Sequence, residues 1–169
     1  MKRAIIVFTL AACAVFLALP VAAQVSGNSV GLGVSVGAAF PQGSTPGIPS
    51  TDWQPSFNWG FYVNIPLIYT FHITPSSELY SLGIVNATDF DLAFKFIVPL
   101  SVFDLYAAVV PGLTAVGQAL APHVGIAAGG SFSLVSNLDA FIQAKYIWLF
   151  EGAGSLGVLH LNAGILFTF

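Results

Sequence analysis

The chain of 169 residues is unusually apolar for its length: 56% of its residues are hydrophobic and only 7% are charged. Soluble domains carry roughly 25% charged residues, so this composition excludes an ordinary soluble protein. The formal net charge of −3 excludes the basic surface that nucleic-acid binding requires, and we expect no nucleic-acid partner.

Residues 1–23 have the three parts of a secretory signal peptide. Lys2 and Arg3 form a charged start, an apolar run to Leu19 follows, and a cleavage site of small residues ends at Ala23. The alternative interpretation is a retained transmembrane helix.

The exported domain is predicted to comprise residues 24–169. Cleavage removes Cys13, so this domain has no disulfide and no thiolate metal site. Past residue 23 no run of about 18 apolar residues appears, so no helical span is predicted. A closed β-barrel is the other structure that satisfies every backbone group inside lipid.

Apolar residues recur at every second position through most of this domain, which is typical of strands. Eight strands are predicted, at about residues 29–40, 57–71, 78–85, 89–99, 103–114, 120–134, 138–150 and 158–169. The fold class is therefore all-β: an eight-stranded, antiparallel, up-and-down transmembrane barrel.

The third strand has the weakest pattern. Residues 74–77 are interpreted as a tight turn before it, and Tyr80, Leu82 and Ile84 are expected to face lipid. The longest loop is predicted at residues 41–55, which include four prolines, and residues 151–157 form a Gly-rich loop.

An even number of strands puts both termini on one side, predicted to be the periplasm. Two aromatic belts then emerge at the membrane interfaces. The outer belt comprises Phe40, Phe57, Trp59, Phe90, Trp148 and Phe150, and the inner belt comprises Tyr69, Phe71, Tyr80, Phe103, Phe132, Phe167 and Phe169.

The last twelve residues are VLHLNAGILFTF; from Leu159 they alternate except at Leu166, and they end on Phe169. This ending resembles the closing strand of bacterial outer-membrane β-barrels. The run PHVGIAAGGSFSLVSNLDAFIQAKYIW, followed by LHLNAGILFTF, resembles the last three strands of small OmpX/OmpW-type barrels. The resemblance covers about residues 28–169. It implies that Phe167 and Phe169 form an assembly signal for the barrel-insertion machinery in the outer membrane.

Few charged side chains are expected to face the lumen, and some polar and aromatic ones are singled out with them. Those singled out are Asp91, Lys95, Asp104, Asp139, Lys145, His123, Tyr62, Tyr106 and Phe141. A turn at residues 100–101 would set Ile97 opposite Asp104 and place Lys95 diagonal to Asp104, at roughly 7–8 Å between Cβ atoms. A structural ion pair is preferred over a ligand site there, because a buried ammonium needs a partner.

The histidines show no metal-ligand spacing. We expect His72 near the periplasmic end, and His123 and His160 toward the outer half of the barrel. Because no nucleophile, base and orienting group come together, we predict no catalytic residue, no enzyme activity, no metal and no cofactor.

Pro66 and Pro111 fall inside predicted strands and cannot donate a ladder hydrogen bond. In OmpW-type barrels, which the chain resembles, prolines interrupt the wall so that an apolar solute can leave sideways. A local kink or bulge is the alternative.

Two functions remain open from the sequence. The barrel binds or passes a small hydrophobic solute, as the OmpW resemblance implies and the apolar lumen favours. Alternatively it is a structural or surface-contact barrel of the OmpX kind, with residues 41–55 as the exposed contact.

Overall fold

The computed structural model describes residues 30–44, 54–82, 85–151 and 154–169. These residues form eight antiparallel strands, each paired with its neighbours in sequence, and β1 closes the barrel on β8. The all-β, up-and-down prediction is confirmed. The strands are β1 (Gly31–Ser44), β2 (Ser56–Ile68), β3 (Phe71–Leu82), β4 (Val85–Pro99), β5 (Asp104–Val116), β6 (Ala119–Val135), β7 (Leu138–Glu151) and β8 (Gly154–Thr168).

Side chains alternate between the lumen and an apolar outer surface along each strand. In β4, Leu92 and Phe94 are exposed on the outside, whereas Asp91 and Ala93 are buried inside. Because the outer surface is covered with large apolar side chains, it is suited to lipid and unsuited to water. Within the described residues, no helix is long and apolar enough to cross a membrane.

The two ends of the barrel differ. The terminal end holds the start of β1, the end of β8 and the turns after β2, β4 and β6; the loop end holds the other four connections. At the terminal end, the amide of Phe169 donates to the carbonyl of Val30 over 3.1 Å. β1 pairs with β8 along its whole length, from Gly31 opposite Thr168 to Ser44 opposite Ser155.

The prediction for the third strand was wrong. β3 begins at Phe71, and the chain turns at residues 69–70 instead of 74–77. Tyr80 and Leu82 are therefore buried in the lumen, at 3% and 0% exposure, and Tyr80 does not belong to an aromatic belt. The predicted outward residue Ile84 lies outside the described residues.

The strands at the loop end are longer than predicted. Residues 41–44 belong to β1 and pair with β8, so the predicted loop at 41–55 is shorter; residues 45–53 lie outside the described ranges. In the same way β7 continues to Glu151, and β8 already begins at Gly154.

Prolines interrupt the strand ladder at two places on one level of the wall. Between β2 and β3, Tyr62 pairs with Ser76 and the next pair is Ile65 with Ile73, so Pro75 and its neighbour Thr74 are left out. Proline lacks the amide hydrogen that the ladder requires.

Pro111 lies in a matching gap between β4 and β5, where no pair occurs between Asp91–Gly112 and Phe94–Val109. Leu92, which pairs with Pro75, lies between the two gaps. Pro66 is paired with His72, and the register shifts just after it. The wall is thus interrupted at Pro75 and Pro111 and bulged beside Pro66.

Deleting Phe169 is expected to reduce the yield of folded barrel in the membrane without reducing export. Phe167 and Phe169 lie on the outer face with ring centroids 6.0 Å apart, where a partner that reads the last strand can reach them. The yield is measured by heat-modifiable migration of the membrane fraction, with Phe169→Tyr as the control. Equal folded yields for the wild type and the deletion would contradict the assignment of an assembly signal.

Candidate functional site

The centre of the lumen contains one lysine surrounded by three carboxylates. The ammonium of Lys145 on β7 lies 2.6 Å from Asp91 and 3.6 Å from Asp89, both on β4, and 3.1 Å from Glu78 on β3. All four side chains are at most 1% exposed. Lys145 therefore spans the lumen and joins β7 to the opposite wall.

A hydrogen-bonded chain continues from this centre to β5 and β6. The hydroxyl of Thr114 donates to Oδ1 of Asp89 over 2.7 Å and lies 2.8 Å from Nδ1 of His123. The other ring nitrogen, Nε2 of His123, lies 2.8 Å from Oδ1 of Asp91. Tyr80 also donates to Oδ1 of Asp89, so four strands converge on the two aspartates.

Glu78 is the acceptor for a second network, which joins β3 to β2 and β8. Tyr62 donates to its Oε1 over 2.6 Å, and the amides of Asn58 and Asn162 donate to its Oε2 over 3.3 and 3.1 Å. His160 lies 3.2 Å from the same Oε2. We call these residues, together with Lys145, Asp89, Asp91, Thr114, His123 and Tyr80, the ion cluster.

The ion cluster stabilises the barrel only as a complete set. Burying a charge inside a membrane protein is costly unless it is paired, and removing one partner leaves the others without compensation. Here the ammonium of Lys145 is matched to three carboxylates, and the residues of the cluster come from seven strands. The cluster thereby crosslinks nearly the whole wall through the lumen.

An apolar plug closes the lumen on the loop-end side of the ion cluster. The plug consists of Ala39, Tyr80, Leu82, Ala87, Ala121, Ile147, Leu149, Leu156 and Val158, each at most 3% exposed. Eight-stranded barrels have interiors just wide enough for side chains to fill. The plug and the ion cluster thus place buried side chains at two successive levels of the lumen.

A small cavity of about 50 Å³ lies on the terminal-end side of the ion cluster. It is lined by Tyr62, Asn64, Thr74, Lys95, Ile97, Tyr106, Ser131, Phe141 and Leu166. The ammonium of Lys95 lies 4.7 Å from the ring centroid of Tyr106, a cation–π contact.

The expected pair between Lys95 and Asp104 does not form. The β4–β5 register puts Pro99 opposite Asp104 and Tyr106 opposite Ile97, because the turn is longer than residues 100–101. Asp104 is thereby shifted toward the terminal end, and Lys95 has no carboxylate within 4 Å in the described structure. Asp139, also near that end, accepts a hydrogen bond from Ser133 over 2.6 Å.

The structure divides the predicted lumen residues between two places. Asp91, His123, Lys145 and Tyr62 meet in the ion cluster, whereas Lys95, Tyr106 and Phe141 line the cavity with Tyr62. Glu78 was not predicted to face the lumen, because the predicted third strand began at that residue, after a predicted turn at residues 74–77 that lies within β3. A shift of the strand start to Phe71 would have turned Glu78 inward.

His72 lies near the terminal end, where its Nδ1 is 2.9 Å from the amide nitrogen of Asn64. Within the described residues, no group of three or more His, Cys, Asp or Glu side chains is arranged to hold a metal ion. All residues of the ion cluster are buried, at 6% exposure or less.

Gly112→Ala is expected to destabilise the barrel by about 1–3 kcal/mol, because overpacking a filled interior forces side chains to move. A Cβ atom on Gly112 would collide with Nε2 of His123 and would lie 2.5 Å from the carbonyl oxygen of Phe90. Gly130→Ala is the matched control, since its nearest contact would be 3.2 Å. Urea unfolding in lipid vesicles measures both; equal losses would contradict the tight packing around His123.

No protein-family model matches the chain, and no curated protein matches its sequence. Among solved structures, the fold is similar to that of Neisserial surface protein A, with a TM-score of 0.67 and 12% identity, covering 83% of this chain and 97% of that one. It is also similar to the N-terminal β-barrel domain of Pseudomonas aeruginosa OprF, with a TM-score of 0.53 and 16% identity, covering 81% and 97%. These neighbours are small eight-stranded outer-membrane barrels, and the apolar outer surface makes this chain a membrane barrel of the same fold.

Proposed function

We propose that this chain is a structural barrel of the bacterial outer membrane that does not conduct ions or polar solutes. In this proposal residues 1–23 direct export, and the C-terminal strand, ending in Phe167 and Phe169, directs insertion. The observation that carries the proposal is the ion cluster around Lys145, which fills the middle of the lumen.

The plug adds a second barrier at the loop end. An ion that moves along the lumen must first displace packed side chains such as Leu82, Ile147 and Leu156, which are fully or almost fully buried. It must then break the contacts of Lys145 with Asp91 and Glu78. Both barriers lie across the same path, so opening one of them does not open the lumen.

The experiment is a flux assay with purified barrel in liposomes loaded with potassium ions or a small sugar. We expect the same leakage as from empty liposomes. Adding a general porin to the same vesicles provides the positive control, and protease protection confirms that the barrel has inserted. Sustained release through the wild-type barrel would contradict the proposal.

A second candidate function is the uptake of a small apolar solute sideways through the wall, which the ladder gaps favour. The gap at Pro75 lies beside Thr74 and Asn64, and both side chains line the terminal-end cavity. A solute in that cavity would therefore be close to a wall segment with missing backbone hydrogen bonds. A second wall segment with missing backbone pairs lies at Pro111, and the strand bulges just after Pro66.

Replacing these prolines by valine tests the second candidate. Pro75→Val and Pro111→Val supply the missing amides and keep the residues apolar, so the wall should close and hydrophobic uptake should fall. Pro66→Val tests the bulge in the same assay. Unchanged uptake by folded variants would contradict sideways passage and leave the non-conducting barrel as the better account.

A further inference from the structure

Two hydrogen-bond donors in the terminal-end cavity have no hydrogen-bond partner among the described residues. The ammonium of Lys95 has no hydrogen bond and no ion pair there, and it lies over the ring of Tyr106 in a cation–π contact. The hydroxyl of Ser131 likewise has no hydrogen-bond partner in the described structure. Both side chains line the cavity, although they come from β4 and β6.

Among the described residues, no carboxylate lines this cavity. Glu78, whose charge acts on Lys95 from outside the lining, is held by Lys145 over 3.1 Å and accepts a hydrogen bond from Tyr62 over 2.6 Å. Asp139 accepts from Ser133 nearer the terminal end. The ammonium of Lys95 thus faces the cavity with no carboxylate within 4 Å in the described structure, which favours an anion there.

The rest of the lining is largely apolar. Ile97, Phe141 and Leu166 complete the wall, and the rings of Phe141 and Tyr62 are in edge-to-face contact at 5.4 Å. A small inorganic anion would place a charged ion against these apolar side chains. A molecule with one carboxylate and a short apolar part matches both halves of the lining.

We propose that the terminal-end cavity is a binding site for a small organic anion, with the carboxylate against Lys95 and Ser131 and the apolar part against Ile97, Phe141 and Leu166. The volume of about 50 Å³ limits the ligand to a short-chain carboxylate. The site goes beyond the proposed structural function, because a non-conducting barrel needs no ligand, and it requires no passage across the membrane.

The chain offers a direct probe of this site, because Lys95 and Lys145 are the two lysines of residues 24–169. Barrel labelled with ¹³C-lysine therefore gives one ε-carbon signal from the cavity and one from the ion cluster. Titration with propionate should shift the Lys95 signal in a saturable way and leave the Lys145 signal unchanged. Propan-1-ol and propylammonium at the same concentrations should shift neither.

The variants separate the contributions of the charge and the hydroxyl. Lys95→Met should weaken propionate binding at least about tenfold by calorimetry, since a hydrogen bond to a charged group is lost. Lys95→Arg should retain most of the affinity, and Ser131→Ala should weaken it less than Lys95→Met. The folded state of each variant is checked by heat-modifiable migration.

Four results would overturn the proposal. The first is a Lys95 signal that does not respond to propionate, and the second is Lys95→Met binding propionate as tightly as the wild type. The third is better binding of propylammonium, which would assign the cavity to cations attracted by Asp104 and Asp139. The fourth is an equal response to chloride, which would overturn the assignment to an organic anion.

Discussion

Replacing Lys145 by methionine is expected to lower the free energy of unfolding of the barrel by about 3–5 kcal/mol, the cost of breaking a buried ion pair from one side. The variant keeps the length and the apolar stem of the side chain but leaves Glu78, Asp89 and Asp91 without a cation. Lipid and bulk solvent do not reach these carboxylates, because all three are at most 1% exposed. Urea unfolding in lipid vesicles, followed by tryptophan fluorescence, measures the loss.

Lys95→Met is the matched control for Lys145→Met. It removes the other lysine of the barrel, which has a ring contact with Tyr106 but no carboxylate within ion-pair distance in the described structure. We therefore expect a much smaller loss of stability. Adding Asp91→Asn to Lys145→Met should recover part of the stability, because one uncompensated charge is removed. Equal losses for the two lysine variants would show that the ion cluster does not stabilise the barrel.

Placing a charge on the outer surface is expected to have the second largest effect. Ile126→Arg and Leu92→Arg should each lower the free energy of unfolding by about 2–4 kcal/mol if the residues lie near the middle of the bilayer. Ile126 is 56% exposed and Leu92 is 39% exposed, on strands that otherwise present apolar side chains outward. The arginine would therefore contact hydrocarbon unless the bilayer deforms around it.

Ala127→Ser provides the control on the next residue of the same strand. Ala127 faces the lumen and is 6% exposed, so a hydroxyl there costs less than an arginine in lipid. All three variants are unfolded in vesicles of one lipid composition. If the three free energies of unfolding were equal, the assignment of inward and outward faces would be wrong for β4 and β6.

The architecture could be predicted from the sequence because alternation in this chain is clear on most strands. In residues 89–96 of β4 and 159–165 of β8 the outward residues are apolar, whereas those facing the lumen are polar or small, and such a pattern fits few structures other than a membrane barrel. β3 could not be placed in the same way. Ser76 and Ser77 put small polar residues on both of its faces, and Pro75 suggested a turn.

The ion cluster was only partly predictable for a different reason. Alternation tells which side chains face the lumen; it predicts that Asp91 and Lys145 face inward, and both are buried. It does not tell how far along the barrel axis each side chain lies, because that position depends on the stagger of the strands around the barrel. Lys145 meets Glu78 on the opposite wall, and no local pattern in β3 or β7 indicates that contact. The same stagger, set by the turn after β4, moved Asp104 away from Lys95.

Accessibility of single cysteines in the lumen tests the closed interior most directly. Residues 24–169 contain no cysteine, so Ala127→Cys, beside the ion cluster, and Ser131→Cys, in the terminal-end cavity, each introduce a single thiol. The reaction rate with a membrane-impermeant thiol reagent is measured in folded and urea-unfolded barrel. The account predicts that Ser131→Cys reacts in the folded barrel while Ala127→Cys reacts only after unfolding. Equal, rapid reaction of both thiols in the folded barrel would show a water-filled path past Lys145 and would contradict the closed lumen.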